Sequence, residues 1–127
     1  MIAIVGIDHI VLRTDRREQM LDFYVGVLGC TVERETSQDT GLTQLRAGNA
    51  LIDLVTVDGE LGRAGGDSIA SENLNMDHFC LQIQPMAEAD IIRHLQNHGI
   101  KTGDFSSRYG AQGQGNSLYI EDPQGNL

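Results

Sequence analysis

The chain has no tryptophan, two prolines, two cysteines and half as many basic as acidic residues, 9 Lys+Arg against 18 Asp+Glu. Each shortage excludes something. Cys30 and Cys80 lack the Cys-x-x-Cys spacing of a zinc ribbon and are too few for a disulfide framework. Cys80, among apolar neighbours in Asp77-His-Phe-Cys-Leu81, reads as a small core filler, and a reducing cytoplasm is expected. A net charge of −9 argues against nucleic acid, whose phosphates need clustered Lys and Arg, and against docking on an anionic membrane. No apolar run approaches the ~20 residues of a membrane span. Met1 to Gly6 is short for a signal peptide and has no basic start. With 5% aromatics the core must rest on Ile, Leu and Val, and 127 residues allow one domain or two small halves sharing a core.

The pattern that is present is α+β. Ile7 to Thr14 is a strand, within a possible span of 4–14. Asp15 follows as a helix N-cap with Glu18 as its capping-box partner. Leu21, Tyr24, Val25 and Leu28 form one apolar helical face over about 16–28, and Gly29 stops the helix. Strands are expected at 31–36, 42–47 and 50–57, the last two joined by a tight turn at Gly48-Asn49. A Gly-rich linker covers 58–75, and the pattern then restarts. A strand spans 76–84 and a helix about 86–98, opened by Pro85 and faced by Ile91, Ile92 and Leu95. Ile100 to Phe105 is a weak strand, Ser106 to Asn116 a second Gly-rich loop, 117–121 a strand and Asp122-Pro-Gln-Gly125 a turn.

The restart is an internal repeat. Asp8-His9 returns as Asp77-His78 at an offset of 69, Gly29 as Gly99 at 70, and Gly48-Asn49 as Gly125-Asn126 at 77. Each pair holds the same place in a β-α-β-β-β unit. Repeat one is therefore 1–57, repeat two 76–127, together forming a single domain, with the last strand cut short at Leu127.

Two histidines at equivalent places in two repeats should be related by a pseudo-twofold axis and converge if both strand faces point into one cleft. That arrangement suits a metal, whose ligands come from separate rigid elements. The other reading has Asp-His simply opening each strand, the imidazole hydrogen-bonded in the core. Asp53, in Leu51-Ile-Asp-Leu-Val55, is costly to bury unless paired or metal-bound; on an edge strand it would face solvent instead. Its counterpart in repeat two would fall near position 129 or 130, so either the protein continues past Leu127 or repeat two lacks its carboxylate ligand; the 127-residue form is expected to bind metal weakly.

Four stretches carry a family resemblance: Ile7-Asp-His-Ile-Val-Leu12, Phe23-Tyr-Val-Gly-Val-Leu-Gly29, Met76-Asp-His-Phe79 and, most specifically, Leu118-Tyr-Ile-Glu-Asp-Pro-Gln-Gly-Asn126. They resemble the vicinal oxygen chelate superfamily, which includes glyoxalase I, bleomycin-resistance proteins and extradiol dioxygenases. Arg108-Tyr-Gly-Ala-Gln-Gly113 is more similar to the glyoxalase-domain branch of uncertain substrate than to glyoxalase I proper. The resemblance implies two βαβββ repeats forming a cupped mixed sheet around one divalent metal (Ni, Zn, Fe or Mn), and a homodimer. It puts His9, Asp53 and His78 at ligand positions, with Asp53 a departure from the usual Glu or Gln. The family's final Glu is absent.

Weaker signals are Arg13, Arg108 and Tyr109, read either as contacts to a small-molecule substrate or as ordinary surface side chains. His94 and His98 share a helix face, but Leu95 stands where a zinc protease needs Glu. The implied chemistry is lyase or isomerase: a metal-chelated substrate with adjacent oxygens, an enediolate stabilised by the metal, and the Asp53 carboxylate moving the proton. The alternatives are an extradiol-type Fe(II) dioxygenase and a non-catalytic drug- or metabolite-binding protein.

Overall fold

The computed structural model describes residues 1–66, 69 and 75–127. Its contacts divide the chain into two units, Met1–Leu74 and Asn75–Leu127. The first is built on β4 (Ala50–Thr56), which pairs in parallel with β1 (His9–Thr14) and antiparallel with β3 (Leu42–Ala47). β3 pairs antiparallel with β2 (Thr31–Glu35), so the sheet order is β1-β4-β3-β2. Between β1 and β2 run α1 (Arg17–Leu21) and a π-helical segment, Asp22–Val27. The expected β-α-β-β-β order is present, and the architecture is α+β.

The two faces of this sheet have different chemistry because strand side chains alternate. One face carries Leu12, Thr14, Thr43, Leu45, Ile52 and Leu54, all buried, as are Met20, Phe23 and Tyr24 of the helical segment. Each large apolar side chain so buried contributes roughly 1.5–3 kcal/mol. The other face carries His9, Val11 and Arg13 of β1, Leu51 and Asp53 of β4, and Gln44 and Arg46 of β3.

Local details depart from the sequence expectation. β1 begins at His9 rather than Ile7, because its parallel register sets His9 against Leu51 and Asp8 O accepts from Leu51 N (2.9 Å). Further upstream the partner would be the Gly48-Asn49 turn, which offers no strand. The Asp15 cap does not form: Arg16 occupies the N-cap position, and its N–H donates to Thr14 Oγ1 (2.8 Å). The expected helical face shifts too. Of Leu21, Tyr24, Val25 and Leu28 only Tyr24 is fully buried, alongside Met20 and Phe23. The cause is the π geometry: Leu28 N donates to Phe23 O (3.0 Å), five residues back, which moves later side chains out of the 3.6-residue phase. Cys80 is exposed and Cys30 buried, reversing the expectation for Cys80.

The start of the expected linker is ordered. Glu60–Arg63 forms a short helix, α2, laid against Thr56. Its glycines are there for close approach. A Cβ on Gly62 would sit 1.8 Å from Thr56 O, and one on Gly59 would meet Gly41 Cα at 2.9 Å.

In the second unit, α3 (Glu88–Asn97) buries Leu95, while Ile91 and Ile92 are half-buried. Gly99, at φ +73°, ends it: Ile100 N donates to Leu95 O and Gly99 N to Gln96 O, the Schellman pattern. The second Gly-rich stretch is not a loop but a hairpin, β5 (Ser106–Gly110) with β6 (Gly113–Ser117). Gly113 takes φ +92° at its turn, where a single such residue lets two short strands fold back. Residues 76–84 and 118–121, expected as strands, lie outside any ladder. A strand needs a partner along its length, and these stretches have isolated backbone links instead: Phe79 N to Leu127 O (3.2 Å) and Gly103 N to Tyr119 O (3.1 Å). The Asp122–Gly125 turn forms where the sequence places it. Buried Asp122 accepts from Gln124 N (2.9 Å) and Asn126 N (3.0 Å), replacing bonds the turn itself cannot make.

Gly62→Ala is expected to destabilise the chain by about 3 kcal/mol, since the opposing atom is backbone and cannot swing away. Gly26→Ala, in the π-helical segment with open space around it, should be neutral or stabilise by about 0.5–1 kcal/mol. Urea midpoints followed by circular dichroism check both.

Candidate functional site

The polar face of the first unit gathers the residues around β4. The two-residue turn after Ala47 sets Gln44 opposite Asp53, and the parallel pairing sets Val11 on its other side. Asp53 is 4% exposed. Its carboxylate accepts from Gln44 Nε2 at 3.1 and 3.3 Å, so the charge is not buried bare. His9 lies on the same face, two residues along β1 from Val11. Its Nδ1 is 2.6 Å from Asp8 Oδ1. That hydrogen bond raises the His9 pKa above its ordinary 6.5; burial opposes it, and the charges of Asp53 and Asp8 add to the rise. Arg46, on the same face, holds Glu33 bidentately (3.0 and 3.1 Å), which keeps the Glu33 carboxyl below its usual range.

The second unit repeats the Asp-His pair with different neighbours. His78 Nδ1 is 2.7 Å from Asp77 Oδ2. Its ring meets Tyr119 edge-on, centroids 5.2 Å apart and planes at 89°. Arg108 lies over the Tyr119 ring, 4.8 Å from its centroid, while its Nη1 donates to Ser117 O (2.6 Å) and Ser117 Oγ (3.0 Å). Tyr109, next along β5, projects to the opposite face of the hairpin and is 80% exposed. Arg13 donates to Gly62 O within α2 (3.0 and 3.3 Å) and to Gly66 O just beyond it. His98 Nδ1 is 2.8 Å from His94 O at the end of α3, which satisfies a terminal carbonyl.

Of the sequence-derived candidates, the structure brings His9 and Asp53 to one face of one sheet. It sets both His78 and Arg108 against the Tyr119 ring; Arg13 shares the sheet face of His9 and Asp53 but is bonded to Gly62 and Gly66, and Tyr109 projects from the other face of the hairpin. Among the described residues no group of three His, Cys, Asp or Glu is gathered to hold a metal. In both Asp-His pairs the carboxylate engages Nδ1 rather than Nε2, and the Asp53 carboxylate is oriented by the Gln44 amide. Sequence reasoning misses Gln44 and Tyr119. Gln44 is within its reach: a two-residue turn between Ala47 and Ala50 pairs position 44 with 53 by counting alone.

A raised His9 pKa means the folded chain favours the imidazolium. Any stability from the Asp8–His9 pair is therefore present below pH 6.5 and lost as pH rises through the raised value; with both groups exposed it is small. Asp8→Asn removes the largest cause, so the His9 pKa should fall toward 6.5, as a proton NMR titration of the imidazole would report.

Comparison with known proteins gives one family and a consistent fold. Residues 6–127 match the model of the Glyoxalase/Bleomycin resistance protein/Dioxygenase superfamily. Among solved structures, an integron cassette protein from the mobile metagenome of V. cholerae is 26% identical, covering 99% of this chain and 93% of that one, with a TM-score of 0.76. A virulence protein from Salmonella typhimurium is 27% identical, covering 98% and 94%, at 0.74. A lactoylglutathione lyase from Agrobacterium tumefaciens is 22% identical, covering 98% and 90%, at 0.69, a likeness of fold alone. No curated protein matches. With nearly its whole length matched, the chain belongs to the Glyoxalase/Bleomycin resistance protein/Dioxygenase superfamily.

Proposed function

We propose that the protein is a metal-dependent enzyme of the glyoxalase class, acting as a lyase or isomerase on a small substrate held through adjacent oxygens. One observation carries this reading. Each unit presents an imidazole whose Nδ1 is engaged by the preceding aspartate, and the first adds a buried carboxylate, Asp53, on the face of His9. The sequence repeat and the family resemblance, rather than any contact between the units, make His9, Asp53 and His78 the proposed ligands of a divalent ion, Ni²⁺, Zn²⁺, Fe²⁺ or Mn²⁺. When bound, that ion supplies Lewis-acid polarisation of the substrate's oxygens.

The chain's own residues do the rest. Asp8 and Asp77 fix the imidazole tautomers. Gln44 keeps the Asp53 carboxylate turned to the polar face, where it moves the proton between the two substrate carbons. Arg108 is assigned to an anionic group of the substrate, through the guanidinium nitrogens not bonded to Ser117. Arg13 and Tyr109 stand as further contacts, Arg13 by way of the 62–66 backbone that it holds.

A second reading, extradiol-type dioxygenation, is favoured by the donor set itself. Two histidines and one carboxylate leave open positions and suit Fe²⁺. We further propose a cytoplasmic homodimer. No described helix is long and apolar enough to cross a membrane, and both cysteines are free thiols. β1 and β2 are the outer strands of the sheet among the described residues, and Ile2, Ile4, Val5, Leu81, Ile83 and Met86 are exposed apolar side chains of the sort a partner covers.

Elemental analysis of native protein should find one divalent metal per chain, lost in His9→Ala and in His78→Ala. A turnover screen should then show activity on hemithioacetals, whereas activity on catechols would move the assignment to the second reading. Full metal occupancy in the double His variant would refute the ligand set. Stoichiometric ligand binding without turnover would leave a binding protein. Light scattering should give about twice the 13.9 kDa chain mass, and 13.9 kDa at all concentrations would refute the dimer.

A further inference from the structure

Gln44 sits between two charges of opposite sign. Its Oε1 accepts from Arg34 Nε (2.8 Å), and its Nε2 donates to both oxygens of Asp53 (3.1 and 3.3 Å). The three side chains come from neighbouring strands, Arg34 from β2, Gln44 from β3 and Asp53 from β4, and the ladder sets each opposite the next. Arg34 is exposed and Asp53 is buried, so the row runs from solvent to a buried carboxylate.

The chemistry of the two ends fixes the group in the middle. A guanidinium only donates, and an ionised carboxylate only accepts. A primary amide has one accepting and one donating end, so only one of its two orientations satisfies both neighbours. The amide dipole then lies with favourable sign between a cation and an anion, and bonds in such a row polarise one another. Without the guanidinium nothing in this row favours that orientation at the Arg34 end.

Arg34 stands there because of an irregularity in β2. The β2–β3 register slips by one residue between Val32 and Arg34, which makes Glu33 the extra residue of a β-bulge. In the register set by Thr31 opposite Arg46 and Val32 opposite Leu45, Glu33 would face Gln44 and Arg34 would face Thr43, whose side chain is on the apolar face. A carboxylate beside Gln44 would compete with Asp53 for the same amide N–H groups. The bulge exchanges the two charges: Arg34 meets Gln44, and Glu33 is taken up by Arg46 at 3.0 and 3.1 Å.

We infer that Arg34 is a positioning residue for Asp53, acting through Gln44. It fixes the amide with its N–H groups toward the carboxylate, and the β2 bulge is the device that places it there. The arrangement lies wholly within the first unit. Its consequence for turnover rests on the reading of Asp53 as the group that moves the substrate proton.

The test follows the Gln44 side-chain NH2 pair in proton–nitrogen NMR spectra of the full chain at pH 7, identified by its loss in Gln44→Ala. In Arg34→Met the pair should shift, and its exchange with water should quicken about tenfold, the scale of losing one hydrogen bond to a charged group. Arg34→Lys keeps a cationic donor and should return both readings toward the native values. Arg34→Glu puts an acceptor beside the amide and should displace the pair further than Met does. Glu33→Gln alters the same bulge without a bond to Gln44 and should leave the pair in place; displacement equal to that in Arg34→Met would mean general loosening of β2 and overturn the specific role. With a hemithioacetal as substrate, Arg34→Met should lower kcat about tenfold with KM little changed. A native NH2 pair in Arg34→Met overturns the inference. So does a displaced pair with unaltered kcat when Asp53→Asn abolishes turnover. Native turnover in Asp53→Asn would remove the proton-moving role of Asp53, while a displaced pair in Arg34→Met would still show Arg34 holding Gln44.

Discussion

The placement of β4 between β1 and β3 is the constraint on which the first unit depends. A side chain in a central strand has no lateral exposure, so each residue of β4 must suit both its neighbours and one of two faces. Ile52 and Leu54 go to the apolar face and are sealed with the helical segment. Asp53, between them in sequence, is forced to the other face at 4% exposure. A carboxylate there needs a donor, and the register supplies Gln44 directly opposite. His9 then follows from the parallel pairing with β1. One turn of two residues, Gly48-Asn49, therefore decides which polar groups share a surface; a slip by one residue would turn Asp53 into the core.

The Asn75–Leu127 unit keeps two features of the first, a glycine stop and an Asp-His pair. Both helices stop at a glycine of positive φ, Gly29 and Gly99, and both Asp-His pairs keep the same geometry at Nδ1. What holds the polar groups differs. In Met1–Leu74 a ladder of strands and an amide hold them. In Asn75–Leu127 a cation–ring–imidazole stack takes that part, and the ladder is a Gly-rich hairpin, β5–β6.

Much of this is legible in the residues alone. The β-α-β-β-β order of the first unit, the recurring Asp-His, the two glycine stops and the bounds of β3 follow from alternation and punctuation, which are local properties. The period of two alone puts Asp53 on a single face of β4, opposite to Ile52 and Leu54. The departures have one source. An Asp15 cap, a Leu21–Leu28 face, a Ser106–Asn116 loop and a buried Cys80 all follow from neighbours in sequence. Contacts that are not adjacent or not regular decide otherwise: Thr14 Oγ1 takes the Arg16 amide, a π turn breaks the helical phase, and glycines form strands because a hairpin partner satisfies their backbone.

The sequence by itself determined the fold class, the family, and the residue types able to ligate or move a proton, because these rest on periodicity, turn chemistry and side-chain identity. It also determined the Gln44–Asp53 pairing in principle, through the length of one turn. The tertiary structure alone decided what surrounds those residues. Arg13 is drawn to the carbonyls of Gly62 and Gly66, and Arg108 and Tyr109, adjacent in sequence, face opposite ways on a hairpin. Tyr119 meets His78 across 41 positions of chain. Such contacts depend on which backbone segments lie side by side, and that follows from hydrogen-bond pairing and packing over the whole unit rather than from any local pattern.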